Sequence, residues 1–324
     1  MNNTRTDTSS DLQYARARTG VYGLDDVLHG GLHQGQIYLI EGDPGAGKTT
    51  LGMQFLINGA QQGERALYLS LAESRAELQQ VANSHGFDLT GVDVQEVHPP
   101  DLATAPEQQY TVFHPSEVEL ADVMQTVINC IKEFAPKRLV IDSMSEFRML
   151  ARDPLRYRRQ VLSLKQFLIG RGCTSLILDE RMRDSLETQL QTIAHGVIRL
   201  ENIGREYGIK RRRLEVVKVR ASKFREGFHD YIVDRGGMRV FPRLVSGEHT
   251  PKLDDRGSLP SGIAELDQLF RGGVARGTST LIIGPSGAGK STISSKFVVS
   301  AAERNEAAAI FTFDEVRQTY LDRS

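Results

Sequence analysis

Two glycine-rich segments of this chain have the residue types and the spacing that bind phosphate. Residues 42–49 read GDPGAGKT, and residues 284–291 read GPSGAGKS. Both fit G-x-x-x-x-G-K-[ST], in which backbone N–H groups surround phosphate oxygens, the lysine binds the β and γ oxygens, and the hydroxyl ligates Mg²⁺. The sequence therefore predicts ATP and Mg²⁺ as ligands. The predicted ligand residues are Gly42, Asp43, Pro44, Gly45, Ala46, Gly47, Lys48, Thr49 and Thr50 in the first segment and Gly284, Pro285, Ser286, Gly287, Ala288, Gly289, Lys290, Ser291 and Thr292 in the second, with Thr49 and Ser291 on the metal.

Two carboxylates follow apolar runs in the first half of the chain. Asp142 ends the run 139–141, where it can hold the magnesium shell, or else cap a turn as an ordinary strand-end residue. Glu73 follows the run 66–71 and is the candidate to orient or deprotonate the attacking water, because catalysis in such sites is mostly positioning and charge stabilisation. A solvated glutamate at a helix start is the alternative. Glu315 stands at the equivalent place in the second copy.

Two groups of basic residues could also meet phosphate. Lys218 and Arg220 stand two apart on a predicted strand and thus point to one face, either towards a phosphate bound by a neighbouring subunit or as exposed cations. Together with Lys48 and Glu73 they are the candidate catalytic residues. The run 210–213 has no aromatic residues between its charges, which favours a solvated face or a subunit contact over nucleic-acid binding.

The elements that must position these residues alternate between strand and helix. Apolar runs at 37–40, 66–71, 139–142 and 175–178 are separated by segments with helical spacing, and Ser74 with Glu77 forms a capping box. This order is typical of an α/β fold with a mainly parallel central sheet flanked by helices. Alternating runs at 214–219 and 230–233 predict an antiparallel extension of that sheet.

An internal repeat organises the chain. The offset of 242 residues that relates the two phosphate loops also aligns Leu24-Asp25 with Leu266-Asp267, and residues 30–31 with 272–273. We predict a flexible tail at 1–13, a complete ATPase domain at 14–243, a linker at 244–258 and the opening of a second, truncated domain at 259–324. Residues 98–115 read as a surface loop. The second copy is expected to lack the later strands and any counterpart of Asp142.

Composition restricts the function further. The 324 residues are 40% apolar and 25% charged, with a net charge of -1, so no global field attracts nucleic acid or an anionic membrane. Cys130 and Cys173 are too far apart to predict a zinc site or a disulfide framework. There is no signal-peptide core and no apolar stretch of membrane-spanning length. A cytoplasmic location is expected, without membrane or nucleic-acid partners.

Taken together, the motifs resemble the KaiC-like branch of the RecA superfamily, the family of the circadian clock protein KaiC. They are TGVYGLD at 19–25, GGL at 30–32, the loop at 42–49, LVIDS at 139–143, DER at 179–181 and KVR at 218–220. The resemblance covers about 16–243 and resumes near 256. It implies a RecA-like P-loop NTPase fold, hexameric rings with ATP between subunits, slow hydrolysis, a regulatory protein partner, and phosphate contacts across the interface from Lys218 and Arg220.

One departure from the family concerns the carboxylates after the second strand. The family usually has two adjacent carboxylates there, whereas this chain has Ala72-Glu73, so hydrolysis is expected to be slowed or altered. The serine/threonine autophosphorylation that the clock protein of this family carries out in its second domain is not expected of this chain alone. A signalling or regulatory ATPase is the leading hypothesis. The alternatives are a RadA/RecA-like recombination or repair ATPase and an ATP-dependent oligomeric interaction module without significant hydrolysis; RadA-like proteins usually bring a zinc finger, which the two cysteines cannot form.

Overall fold

The computed structural model describes residues 15–97, 115–151, 154–181, 187–204, 210–245, 257–313 and 316–323. The chain divides into two compact units, the first running to Leu244 and the second starting at Val245. The predicted tail 1–13, most of the predicted loop 98–115 and the pair Asp314-Glu315 lie outside the described residues.

A nine-stranded sheet forms the centre of the first unit, with strand order β11-β10-β9-β8-β3-β7-β6-β4-β5. Strands β3 to β8 pair in parallel, and β9 to β11 add an antiparallel edge. The predicted α/β class, with its parallel centre and antiparallel extension, is confirmed. The strands are β3 (Ile37–Gly42), β4 (Ala66–Ser70), β5 (Val92–Glu96), β6 (Arg138–Asp142), β7 (Thr174–Glu180), β8 (Gly196–Ile203), β9 (Arg211–Val219), β10 (Phe228–Asp234) and β11 (Gly237–Phe241), with a short separate ladder of β1 (Arg16–Ala17) and β2 (Leu32–His33).

Helices cover the parallel strands on both faces, which is why those strands read as continuous apolar runs. Side chains of α1, α2 and α3 share one buried cluster with one face of the sheet. Side chains of α4 to α7 share a second cluster with the other face. The helices are α1 (Leu24–Val27), α2 (Lys48–Gln61), α3 (Arg75–His85), α4 (Pro115–Phe134), α5 (Met144–Ala151), α6 (Pro154–Ile169) and α7 (Glu187–Ile193).

Strand β9 contains a β-bulge that decides where its basic residues point. Lys218 pairs with Val197 and Val216 pairs with Ile198, so Val217 is an extra residue in the ladder. Leu214 and Val216 therefore face the first cluster, whereas Lys218 reaches α7 on the opposite face. Without the extra residue, Lys218 would share the face of Val216.

The second unit differs from the sequence prediction at its strands. Its described elements are β12 (Ser258–Leu259), α8 (Ala264–Leu269), β13 (Val274–Ala275), α9 (Lys290–Glu303) and α10 (Arg317–Arg323). Leu281-Ile282, which the 242-residue offset aligns with Leu39-Ile40 of β3, lie in no strand, nor does Phe313, and all three are exposed. A strand needs ladder partners: β3 takes them from β7 and β8, and β4 from β5 and β6, and the described part of the second unit provides no such partners.

Candidate functional site

The first phosphate loop joins the end of β3 to the start of α2. Gly45 and Gly47 have φ values of 72° and 96°, a conformation that favours glycine. A Cβ at Gly42 would lie 2.5 Å from the carbonyl oxygen of Leu200, so a side chain is excluded where β3 meets β8. No side chain caps the N-terminus of α2, so its first N–H groups can bind an anion.

Strand β8 and the antiparallel extension support this loop from one side. The hydroxyl of Tyr231 on β10 donates a hydrogen bond to the carbonyl of Ala46, at 2.7 Å. The backbone N–H of Asn202 on β8 donates to the carboxylate of Asp43, at 3.3 Å. The loop is thus fixed by strands far away in sequence, a contact that the motif alone does not predict.

Lys48 lies beneath the loop and binds its backbone. Its Nζ donates to the carbonyls of Gly42 and Asp43, at 2.8 and 3.2 Å. Burial lowers the pKa of Lys48, and nearby carboxylates oppose that shift. The Lys48 ammonium therefore lies near several negative charges, to which a bound nucleotide would add the charge of its phosphates. The carboxylates are, in order of effect, Glu180, Asp142, Asp179 and Asp43.

Asp142 lies beside Thr49, as the sequence predicted for a magnesium pair. The Thr49 hydroxyl donates to Oδ2 of Asp142 at 2.9 Å, and the hydroxyl of Tyr68 on β4 donates to the same oxygen at 2.5 Å. Tyr68 is buried, and sequence reasoning missed it because it reads as one more apolar residue of β4. It orients the carboxylate from the neighbouring strand.

Glu73 lies at the carboxyl edge of β4, held by a local turn. The Ser70 hydroxyl donates to the Glu73 carbonyl at 2.5 Å, and the Glu73 N–H donates to the Ser70 oxygen at 3.1 Å. Its Oε2 is buried without a hydrogen-bond partner. Burial raises the pKa of Glu73, and the charges of Asp142 and Glu77 raise it further. An unpartnered buried carboxylate oxygen fits a water molecule that the nucleotide complex would add.

The residues at this edge fit Mg²⁺. Thr49 and Asp142 offer oxygen donors, which Mg²⁺ prefers, and Mg²⁺ usually takes one or two protein ligands together with substrate phosphates and water. Within the described residues no group of three or more His, Cys, Asp or Glu side chains could hold a metal by itself. Thr49 and Asp142 thus suit a Mg²⁺ ion whose other ligands are the phosphates of a bound nucleotide and water.

The structure adds a buried ion pair at the end of β7. Asp179 is 3% exposed, pairs with Arg148 of α5 and accepts a hydrogen bond from the Glu180 N–H at 3.0 Å. Burial raises the pKa of Asp179 to about 7, although Arg148 opposes the shift. In the sequence Asp179 is marked only by the motif DER at 179–181, which is part of the family resemblance.

His85 links the phosphate loop to the β10–β11 turn. Its Nδ1 lies 3.0 Å from the carbonyl oxygen of Asp234, and its Nε2 lies 3.3 Å from the hydroxyl of Thr50, a predicted ligand residue. Because a carbonyl only accepts, Nδ1 carries the proton and Nε2 accepts from Thr50. Sequence reasoning gave no reason to single out His85.

Lys218 and Arg220 lie away from the loop of their own chain. Lys218 donates to the Gln191 carbonyl and Arg220 to the Thr192 carbonyl at 2.8 Å, both in α7. Lys218 pairs with Val197 of β8, and Val197 pairs with Leu39 of β3. Leu39 lies three residues before β3 ends at Gly42, which is roughly 10 Å along the strand. They lie together on one face, as predicted; Lys218 is level with the middle of β3 and Arg220 with its start, so both are away from the loop.

Two of the four residues of the basic run at 210–213 are paired within the chain. Arg211 pairs with Asp230 at 2.8 Å, and Arg213 pairs with Glu201 at 2.5 Å. The Arg213 guanidinium also lies 3.7 Å from the centre of the Phe228 ring. These pairs involve half of the cations of the run, which lowers the charge that it can offer a nucleic-acid backbone.

The second phosphate loop repeats the local geometry of the first. Lys290 Nζ donates to the carbonyls of Gly284 and Pro285, at 2.8 and 2.7 Å. The loop differs in burial, since Ala288 and Thr292 are exposed whereas Ala46 and Thr50 are buried. In the described part of the second unit no carboxylate contacts Ser291, so its predicted metal role has no counterpart of Asp142 there.

The two units also share a hydrogen-bond pattern at their starts. Asp25 accepts from the N–H and the hydroxyl of Thr19, at 2.9 and 2.8 Å. Asp267 accepts from the N–H and the hydroxyl of Ser261, both at 2.7 Å. This agreement supports a duplication beyond the loops themselves.

Comparison with known proteins gives one family. A family model described as "ATPase: KaiC" matches residues 17–245 and 259–323. The circadian clock oscillator protein KaiC of Picosynechococcus sp. is 28% identical over 312 residues, which are 93% of this chain and 58% of that protein. The KaiC of Synechococcus elongatus is 27% identical over 95% of this chain and 59% of its own length.

A further relative is the circadian clock protein KaiC2 of Synechocystis sp., 29% identical over 97% of this chain and 55% of its own length. The chain thus spans less than two thirds of the length of these relatives. Among the described residues, no helix is both long enough and apolar enough to cross a lipid bilayer.

Proposed function

The chain belongs to the KaiC ATPase family, and from that premise we propose that its first unit binds ATP with Mg²⁺ and hydrolyses it to ADP and phosphate. The backbone of the loop at 42–49 and the Lys48 ammonium bind the phosphates. Thr49 and Asp142 hold Mg²⁺, which when bound neutralises phosphate charge. Glu73 orients the water whose oxygen bonds to the γ-phosphorus as the bond to ADP breaks, and accepts its proton.

The observation that carries this proposal is the meeting of three groups from separate elements at one edge of the sheet. Thr49 from α2 bonds to Asp142 from β6 at 2.9 Å, and the partnerless carboxylate oxygen of Glu73 is buried near enough for the Asp142 charge to raise its pKa. A loop that only turned the chain would not need this arrangement. Perturbed carboxylates beside a phosphate loop are typical of a catalytic centre.

We extend the proposal to self-association. Lys218 and Arg220 face away from their own loop, so they would act on the nucleotide of another copy, where a cation supplied in trans stabilises the developing charge. A ring of six is the assembly that the family resemblance implies. A signalling or regulatory role belongs to the same proposal.

Specific features bear on the two alternative functions, one in favour and one against. Ala72 stands where the family usually has a second carboxylate, which favours a module in which ATP holds an assembly together with little hydrolysis. A RadA/RecA-like DNA-handling role would need a surface for nucleic acid, and the pairing of Arg211 and Arg213 within the chain speaks against the basic run as that surface.

Phosphate release at saturating Mg-ATP tests the proposal. We expect Lys48→Ala to abolish ATP binding measured by calorimetry, because it removes the ammonium beneath the phosphates. Glu73→Gln should retain binding and slow release by roughly 10²–10⁴-fold, the range of general acid-base contributions. Equal release by wild type and both variants would overturn the assignment.

Two further outcomes separate the alternatives. Binding without release by the wild type, together with nucleotide-dependent association, would establish the interaction module. Stimulation of release by single-stranded DNA would favour the recombination reading. Gln79→Glu, on the exposed face of α3, is the control for a Gln/Glu exchange outside the site.

A further inference from the structure

The last turn of α7 gathers three cations. Lys218 Nζ binds the Gln191 carbonyl, Arg220 binds the Thr192 carbonyl at 2.8 Å, and Lys165 of α6 binds the Ile193 carbonyl at 2.6 Å. The three acceptors are consecutive, so their donors converge on one small region of the surface. Lys165 had no sequence signal, since it comes from a different helix and fits no motif.

The charges of these three residues act on one another. Burial lowers the pKa values of Lys165 and Lys218, and the positive charge of Arg220 lowers both further. No carboxylate of the described residues opposes these shifts, and the hydrogen-bond acceptors of the three cations are backbone carbonyls. Cations elsewhere in the unit are balanced differently, as Arg199 is by Glu41 and Glu215.

A helix C-terminus attracts cations, but three exceed what it can neutralise. The end of a helix carries roughly half an elementary negative charge, against three positive charges here. The excess of positive charge in a partly buried region favours a multiply charged anion. Phosphate oxygens are such acceptors, and Arg and Lys are their usual partners.

We propose that Lys165 joins Lys218 and Arg220 in a three-cation site that takes the phosphate tail of a nucleotide bound to another copy of this chain. The inference rests on the proposed function and adds Lys165 as a catalytic residue in trans. On arrival of the phosphate tail, the three side chains exchange the carbonyls of α7 for phosphate oxygens. In the separate chain the same carbonyls hold them in place.

Two substitutions at position 165 separate the effect of the positive charge from that of the hydrogen bond. Lys165→Gln keeps a donor for the Ile193 carbonyl but removes the charge, and Lys165→Arg keeps the charge. We expect Lys165→Gln to lower the rate of phosphate release by at least about tenfold, in line with the loss of one group that stabilises developing charge, and Lys165→Arg to stay near wild type. Lys132→Gln on the exposed face of α4 is the matched control and should be unaffected.

A mixing experiment tests the action in trans. Lys48→Ala copies lack a loop that binds ATP but keep Lys165. Lys165→Gln copies keep the loop but lack the cation at position 165. Mixed in equal amounts, they should release more phosphate than the sum of the two alone. The inference would be overturned if the mixture released no more phosphate than the sum of the two variants alone. It would also be overturned if Lys165→Gln released phosphate at the wild-type rate.

Association gives a second readout that needs no turnover. With Mg-ATP, Lys165→Gln should require a higher protein concentration than wild type to associate, as seen by light scattering. If wild type hydrolyses ATP and Lys165→Gln neither slows release nor weakens association, this inference alone fails. A wild type that neither hydrolyses ATP nor associates overturns both this inference and the proposed function.

Discussion

At the level of single residues, the candidate site contains ionisable groups whose pKa values are shifted by burial. Glu73 and Asp179 both have raised pKa values, and Lys48 has a lowered one, in each case chiefly through burial. All three shifts weaken the charge of the free protein. A bound nucleotide with Mg²⁺ would change the field at all three, so binding and protonation are expected to be coupled.

Asp179 gives a pH prediction of definite sign. Its pKa rises from the ordinary 3.8 to about 7 in the folded chain, so the folded state holds the proton more tightly and stability contributed by Asp179 falls as pH rises through this range. Asp179→Asn cannot titrate. Its free energy of unfolding, relative to wild type, should therefore increase from about pH 4 to about pH 7.

Urea unfolding at several pH values measures this difference. Subtracting the two curves cancels the carboxylates that the proteins share, among them Glu201 and Asp230 with their lowered pKa values. A difference independent of pH would mean that pairing with Arg148 keeps Asp179 ionised throughout, in contradiction to the prediction.

Sequence reasoning found the parts of the site that belong to local patterns. Lys48 and Thr49 follow from a contiguous motif, and Asp142 from its place at a strand end, where the structure bonds it to Thr49. Tyr68 and Lys165 were missed because their contacts depend on which strands and helices are neighbours. No short segment of the sequence determines which strands and helices become neighbours.

At the level of elements, α2 shows how tightly the site is built into its support. Arg138 of β6 is 1% exposed and passes beside Gly59 of α2. Its guanidinium donates to the carbonyls of Arg18 and Phe55, at 2.7 and 2.9 Å, and pairs with Glu64. A Cβ at Gly59 would lie 2.3 Å from Cδ of Arg138, which these bonds hold in place.

Gly59→Ala is therefore expected to destabilise the fold, against the usual trend for a helix. Helix propensity alone favours alanine by about 1 kcal/mol, but overpacking costs about 1–3 kcal/mol. Ala60→Gly, one residue later, is the control and should lose about 1 kcal/mol. Urea unfolding compares them; a stabilised Gly59→Ala would show that Arg138 moves aside freely.

Element order was predictable for the first unit and not for the second. Buried runs and the Ser74 capping box gave β3, β4, β6, β7 and α3 close to their observed bounds. The bulge at Val217 escaped detection, because only the pairing with β8 reveals the extra residue. Leu281-Ile282 has the composition of a strand, but composition cannot supply ladder partners.

At the level of the whole molecule, the same loop occurs in two different settings. Ala46 and Thr50 are buried in the first unit, whereas Ala288 and Thr292 are exposed in the second. Main-chain geometry alone is thus not enough for a site; strands must also bring in carboxylates such as Asp142 and Glu73. This difference supports the proposal that ATP is hydrolysed in the first unit.

Nucleotide-dependent association is the prediction at this scale. Lys218 lies roughly 10 Å along the sheet from the end of β3 and Arg220 lies farther from it, so under the proposed trans role their charge serves the loop of another copy. A net charge of -1 imposes no long-range repulsion between copies. Light scattering should show a higher mass with Mg-ATP than without it, and Lys48→Ala should not respond. A wild-type mass that stays that of one chain at saturating Mg-ATP would contradict the trans role, because no second copy would then be present to receive these cations.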